Sequence, residues 1–278
     1  MIFAADLHTH STASDGQYTP AELVRRAKEA GITCLAITDH DTIGGVEQAV
    51  QAGREQGLLV LRGVELAAKE NRHMHILGLG LYADCPQLAQ LCQALLNDRN
   101  ERNQRIIGFL KEKGMTLSLD EVSAVAGGQV IGRPHFAQVM VRKGYVANTR
   151  EAFDRYLDTP EYQRIERLKA SAEACIQAIH QGGGKAVLAH PCQLAFPDEQ
   201  LEETIRHLKE LGLDGLECYY PQHTPAMVQK YLAFARKYDL GITAGSDFHG
   251  EIIHPDKPLH SVKLELDWLL NGETGAGE

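Results

Sequence analysis

The feature that most limits what this chain can fold into is an alternation of short apolar runs with amphipathic stretches, in which the apolar runs end on histidines or carboxylates. Thr33–Thr38 (TCLAIT) is apolar throughout, and Asp39-His40-Asp41 follows at once. Leu58–Val64 leads into Glu65, Lys185–Ala189 into His190, and Leu240–Ala244 into Asp247 and His249. Short apolar runs separated by helical periods read as strands covered on both faces. Residues 3–8, 75–81 and 214–218 complete a set of seven. The helices between them are marked by their ends. Thr19-Pro20-Ala21-Glu22 places a capping threonine, a first-turn proline and an acid, and Thr224-Pro225 repeats the device. Gly31 and Gly182-Gly183-Gly184 stop helices. The expected class is α/β, as a parallel barrel or open sheet with functional groups at the C-terminal strand ends.

The middle breaks this pattern. Residues 98–168 have helical periodicity and no convincing strand, and they carry Arg99, Arg102, Arg105, Arg133, Arg142, Arg150, Arg155, Arg164 and Arg167. They read as an insertion covering the barrel mouth, so the expected division is 1–98 with 168–278 as the barrel and 99–167 as a helical cap. Most of these arginines are expected to be solvated.

Composition narrows the class of partner. A net charge of −9 does not suit a protein that coats long nucleic acid. No apolar run approaches the roughly 20 residues of a membrane helix. The six cysteines are scattered, none with CxxC spacing, as expected for reduced core thiols. Cys192, next to His190, is not read as a nucleophile. Met1–Asp6 has no basic stretch and little apolar length, which reads as no secretory signal, so a cytoplasmic enzyme is expected.

The histidines carry the functional signal. In Asp6-Leu7-His8-Thr9-His10 the alternation of a strand points His8 and His10 the same way. Such a pair alone serves as readily in a core as at a metal. His40 stands between two acids, Glu65 is costly to bury unless paired or metal-bound, and His75 starts the next strand. Five strand ends furnished in this way are more than a network of satisfied histidines explains. Histidine and carboxylate donors without cysteine suit Mn²⁺, Fe²⁺ or Zn²⁺ better than Ca²⁺ or bare Mg²⁺. They exceed the four to six or so that one ion takes. Two or three clustered divalent ions are therefore expected, most readily Mn²⁺ with Zn²⁺, Fe²⁺ or Mg²⁺ as alternatives, and Glu65 is placed to bridge. Such ions would orient an attacking hydroxide and neutralise phosphoryl oxygens. Asp6 and Asp39 are candidates to orient ligands, His73 could stand just behind them, and His180, His207, His223, His254 and His260 read as ordinary.

The motifs DLHTHS…DG, TDHD, GVE, HILG, AHP and GSDFHG, in this order, resemble the PHP (polymerase and histidinol phosphatase) family over nearly the whole chain. The resemblance implies a distorted (β/α)7 barrel with a trinuclear metal site. It assigns His8, His10, Glu65 and Asp247 to one ion, Glu65, His75 and His190 to a second, and Asp15, His40 and His249 to a third. Asp15 enters only this way, because Ser14-Asp15-Gly16 otherwise reads as a turn.

Gly132-Arg133-Pro134-His135-Phe136-Ala137 and the stretch 97–105 are similar to a bacterial subgroup that includes RNase AM and 3′,5′-nucleoside bisphosphate phosphatases. That implies removal of a phosphate from a small bisphosphorylated nucleotide, or trimming of short RNA from its 5′ end. Arg133 at a helix start combines a guanidinium fork with free backbone N–H groups, which suits a phosphate anchor. His135 could assist, and Asn103 is a weaker candidate. His190, His249 and Asp247 are the expected catalytic groups. The alternatives are a histidinol-phosphate phosphatase, whose substrate has a single anionic end, and a catalytically silent metal or nucleotide-binding module. No membrane partner is expected.

Overall fold

The structure, a computed structural model, describes residues 1–126, 131–165, 169–253 and 256–270. Arg167, His254 and the domain boundary expected at residue 168 lie outside the described residues. The strands are β1 (Ile2–Asp6), β2 (Cys34–Ile37), β3 (Leu59–Ala67), β4 (His75–Leu79), β5 (Lys185–Leu188), β6 (Gly215–Tyr219), β7 (Gly241–Ala244) and β8 (Val262–Glu265). They form one sheet in the order β7-β6-β5-β4-β3-β2-β1-β8. Beyond β1 the chain returns to β7: the Leu7 N–H donates to the Ala244 carbonyl at 2.8 Å, and Thr9 bridges Phe248 in parallel. The sheet is thereby almost closed into a barrel.

Two features differ from the sequence reading. β4 runs antiparallel to both β3 and β5, because only a short turn separates it from β3 and a parallel crossover needs a dozen or more residues. β8 was not expected. Its four residues, Val-Lys-Leu-Glu, are too few for a clear period, yet they pair antiparallel with β1 from Ile2↔Glu265 to Ala5↔Val262. The reversal of β4 has a useful consequence: its first residue, His75, lies at the same barrel rim as the C-terminal ends of the parallel strands.

The helices are α1 (Pro20–Glu29), α2 (Val46–Gln56), α3 (Pro86–Glu112), α4 (Leu119–Ala126), α5 (Arg133–Arg142), α6 (Thr149–Ala152), α7 (Pro160–Gln163), α8 (Ala172–Gln181), α9 (Asp198–Glu210), α10 (Pro225–Lys237) and α11 (Asp267–Leu270). Thr19 and Glu22 close a capping box on α1, and Thr224 caps α10 as its sequence predicts. Alternate residues of each strand feed separate cores. Ala5, Ala36, Leu61, Leu77, Val187 and Ala244 pack together with Trp268 and Leu269, and Trp268 covers the first residues of β6 and β7, at the end opposite the furnished rim. Leu35 and Ile37 instead face Leu23 and Val24 of α1.

The cap has its own core, which includes Ile106, Leu110, Phe136 and Tyr162. Its first helix, α3, spans 27 residues and passes through residue 98 without a break. Arg99 on α3 reaches down to Asp41 at the end of β2, an ion pair buried on both sides. None of the helices among the described residues is long and apolar enough to cross a membrane.

Candidate metal centre

Each strand end delivers its side chains to one rim. Glu65 in β3 is the hub. Its Oε2 lies 3.3 Å from His8 Nε2, 3.2 Å from His10 Nε2 and 2.9 Å from His40 Nδ1. Its Oε1 lies 2.6 Å from His75 Nδ1 and 3.1 Å from His190 Nε2. Asp247 Oδ1 lies 3.3 Å from His10 Nε2 and 3.4 Å from His249 Nδ1, and Asp15 Oδ1 is 3.4 Å from His249 Nε2. All nine residues nominated from the sequence therefore converge, although they come from seven separate segments of the chain.

The donors fit divalent ions. His8 Nε2, His10 Nε2, Asp15 Oδ1 and Glu65 Oε2 are buried and make no hydrogen bond, although both imidazole nitrogens lie within 3.3 Å of Glu65 Oε2. Their angles miss because they aim at shared points rather than at each other, and orphaned buried polar atoms are otherwise costly. Three overlapping groups each bring one donor atom per residue within 4.8 Å: His10, Asp15, His40 and His249; His8, His10 and Glu65; His40, Glu65 and His75.

The electrostatics follow from this crowding. Burial would raise the Glu65 carboxyl, but His40, His75 and His8 outweigh it and hold the group well below the usual carboxylate range. Asp15 and Asp247 are held low in the same way, chiefly by His40 and by His249. Burial pulls His75 down to about 4 against the opposing charge of Glu65. His10 goes up to about 9, since Asp247 and Glu65 outweigh its burial.

A second layer of residues holds the donors; of these the sequence suggested only Asp6 and Asp39. Glu217 in β6 is fully buried. One of its oxygens faces His8 Nδ1 at 3.1 Å, and the other accepts the His190 N–H at 2.6 Å. Gly245 must lack a side chain here, because a Cβ would fall 2.2 Å from His8 Cβ and 2.4 Å from Glu217 Oε1. Tyr220 donates to Asp247 Oδ2 at 3.0 Å, and Lys257 pairs with the same oxygen, which leaves Oδ1 for the histidines. Asp39 accepts from the Ser11 N–H and from the hydroxyls of Ser11 and Ser14, fixing the loop that carries Asp15. Asp6 faces the main chain of His8, Ser246 and His260 and not an imidazole ring. It accepts from the Ser246 N–H, and burial pushes its carboxyl up to about 7. Asp41, His190 and Asp247 are held at positive φ, the kind of strain that collects at functional sites.

A cavity of about 660 Å³ opens over this rim. Arg72, Arg99, Arg102 and Arg133 line it together with the metal-site residues other than His8 and His10. Arg133 is where the sequence places it, at the start of α5. His135 and Asn103 are not part of the lining: His135 is buried, its Nδ1 accepting the Gly132 N–H at the cap of α5, and Asn103 is buried against the Ile131 carbonyl. Arg105, Arg142, Arg150, Arg155 and Arg164 are exposed, as expected for solvated side chains. His73 lines the cavity, while His180 bonds Asp214, His223 bonds the Cys218 carbonyl and His207 is exposed.

The PHP domain model matches residues 6–184, and that stretch holds six of the nine donors. The chain belongs to the PHP domain family. Among PHP relatives, a 5′-3′ exoribonuclease of Haemophilus influenzae is 36% identical over 88% of this chain and 89% of its own length. A 3′,5′-nucleoside bisphosphate phosphatase of Chromobacterium violaceum is 33% identical over 88% of this chain and 86% of its own. A solved structure from Chromobacterium violaceum, an amidohydrolase with bound sulfate and no metal, superposes with a TM-score of 0.84 at 32% identity, covering 94% of this chain and 92% of the other. The cap is included in that superposition, so the fold described above is a PHP barrel with its insertion.

Proposed function

We propose that this chain is a metal-dependent phosphomonoesterase that removes the 3′-phosphate of nucleoside 3′,5′-bisphosphates. The observation that carries this reading is a single cavity with orphaned imidazole and carboxylate donors on its floor and arginines on its walls. A doubly phosphorylated small molecule needs both. The bisphosphate phosphatase among the relatives supports the substrate class.

We assign His8, His10, Asp15, His40, Glu65, His75, His190, Asp247 and His249 to two or three divalent ions, Mn²⁺ in preference. When bound, the ions supply a nucleophile at neutral pH and offset charge on the phosphoryl group. Arg133 holds the non-reacting phosphate through its guanidinium fork. Asp247, steadied by Tyr220 and Lys257, keeps one oxygen toward the reacting group. His190 and His249 are ligands as well as candidates for returning a proton to the leaving oxygen, so a water held at the site is an equal candidate for that role, and no side chain is assigned as the nucleophile. His135 and Asn103 shape the cap loop and do not touch substrate in this reading. We keep a barrel–cap division near residues 99–167, which the separate core of the cap supports. Six free cysteines suit a reducing compartment, and we place the enzyme in the cytoplasm.

The test is turnover of adenosine 3′,5′-bisphosphate against AMP and p-nitrophenyl phosphate with Mn²⁺. Equal, slow turnover of all three defeats the substrate assignment. Arg133→Ala should raise KM for the bisphosphate about tenfold or more, the loss of one charged fork, and should leave histidinol phosphate nearly unaffected. The exoribonuclease relative supports a second reading on the same geometry, release of nucleotides from the 5′ end of short oligoribonucleotides.

A further inference from the structure

Arg133 does not stand alone. Its Nη1 donates to Asp158 Oδ1 at 2.5 Å, and Arg72 Nη2 donates to that same oxygen at 3.1 Å. One carboxylate oxygen therefore sits between two guanidiniums brought from distant segments, the β3–β4 turn and the start of α5. Both arginines line the cavity, and Asp158 does not.

The frame around these three side chains is held. Lys169 Nζ donates to the carbonyls of Ala68, Asn71 and Arg72, which pins the turn that carries Arg72. Arg133 lies 5.7 Å from the Phe153 ring. The Asp158 N–H donates to the Phe153 carbonyl, and its own carbonyl accepts from the Gln163 side chain at 3.3 Å. The backbone of Asp158 is thus fixed while its carboxylate, 45% exposed, is free to swing aside. Exposed ion pairs of this kind are weak. A phosphate dianion at the same point would meet two guanidinium forks and carry twice the charge.

We infer that Arg72 and Arg133 together form an anion site at the cavity wall, and that Asp158 is its resident counter-ion, displaced when the non-reacting phosphate binds. The inference rests on the phosphatase reading for the identity of the anion and adds Arg72 and Asp158 as determinants of specificity. It makes a counter-intuitive statement, that removing an acid improves binding.

The test compares wild type with Asp158→Asn, Asp158→Ala and Arg72→Gln. One readout is KM for adenosine 3′,5′-bisphosphate relative to 3′-AMP in the Mn²⁺-loaded protein. The other is calorimetric titration with AMP, which carries only the anchored phosphate. Both Asp158 variants should tighten the bisphosphate and AMP about five-fold, and Arg72→Gln should weaken them about ten-fold. Asp154→Asn removes an equal charge from an exposed position nearby and should change neither by more than about two-fold. Unchanged or weaker binding in both Asp158 variants overturns the inference. If wild type hydrolyses neither ester, the phosphatase reading fails, and the AMP titration still decides whether the two arginines form an anion site.

Discussion

Glu217→Gln isolates the layer behind the metal donors with almost no change of shape. The carboxylate serves two buried donors at once, His8 Nδ1–H at 3.1 Å and the His190 N–H at 2.6 Å. An amide has one oxygen and cannot accept from both. If its oxygen turns to His190, its NH₂ faces His8 Nδ1 and drives the proton to Nε2, the atom that points at Glu65 and Asp247. If its oxygen turns to His8, two N–H donors face each other at the positive-φ turn of His190. Either way one charge-assisted hydrogen bond is lost, a cost of about 1.5 to 3 kcal/mol. Partners of this kind set metal affinity within roughly 10- to 100-fold, or about 1.4 to 2.7 kcal/mol. Competition with a chelator, read as bound Mn²⁺ per chain, should show a loss in that range. The melting temperature of the metal-free variant separates this from general destabilisation. A variant that keeps wild-type Mn²⁺ affinity would refute the argument that Glu217 sets the His8 tautomer.

Three further outcomes follow from the same structure. Arg99→Ala removes the cation from the buried Asp41 carboxylate, which keeps the Ala67 N–H on its other oxygen, so denaturant unfolding should lose about 3 to 5 kcal/mol; a loss below 1 kcal/mol, as for a surface pair, counts against it. Gly241→Ala would place a Cβ 2.2 Å from the Trp268 ring, and an overpacking cost of about 1 to 3 kcal/mol should lower the melting temperature by several degrees without touching the rim. Because His10 is held up at about 9, its proton competes with a cation at neutral pH. Mn²⁺ affinity should therefore rise from roughly pH 6 to pH 9 with release of protons, and a flat profile in calorimetry would contradict this.

Much of the rim is legible because its chemistry breaks a simple rule. His40, Glu65, His190 and Asp247 each close an apolar run with a group that is costly to bury, and the cost itself points to a partner. Glu217 carries the same signal, a lone acid in Gly-Leu-Glu-Cys-Tyr, and could have been found by asking the same question of that strand. Other parts have no local signature. Asp15 lies in a Ser-Asp-Gly turn that needs no metal to explain it. Lys257 sits in a loop without period, and the meeting of Arg72 with Arg133 depends on a cap fold that no spacing in the chain encodes. His135 illustrates the opposite error: three residues after Gly132 it is placed for a helix cap, and the backbone claims its ring nitrogen.

The closure of the barrel and the binding of cations are one physical problem in this chain. β1 and β7 themselves do not pair; the seam is stitched by the main chain of the donor segments, with Asp247 N–H on the His8 carbonyl at 2.8 Å, His10 N–H on Phe248 at 2.9 Å and Gln17 N–H on His249 at 2.7 Å. The side chains on these segments bring two carboxylates, Asp15 and Asp247, and several imidazoles into one buried volume beside Glu65, where a divalent cation adds attraction that the imidazoles and Lys257 supply only in part. A cation bound only by the closed form stabilises it by RT ln(1 + [L]/Kd), about 4 kcal/mol at a thousand times Kd. Removal of metal should therefore loosen this seam before the rest of the sheet. Hydrogen exchange at the His10, Gln17 and Asp247 amides should quicken on chelation, while that at Leu61 and Val187 in the barrel interior should hold. Uniform acceleration across the barrel would show instead that the ions support the fold as a whole and not its last closing edge.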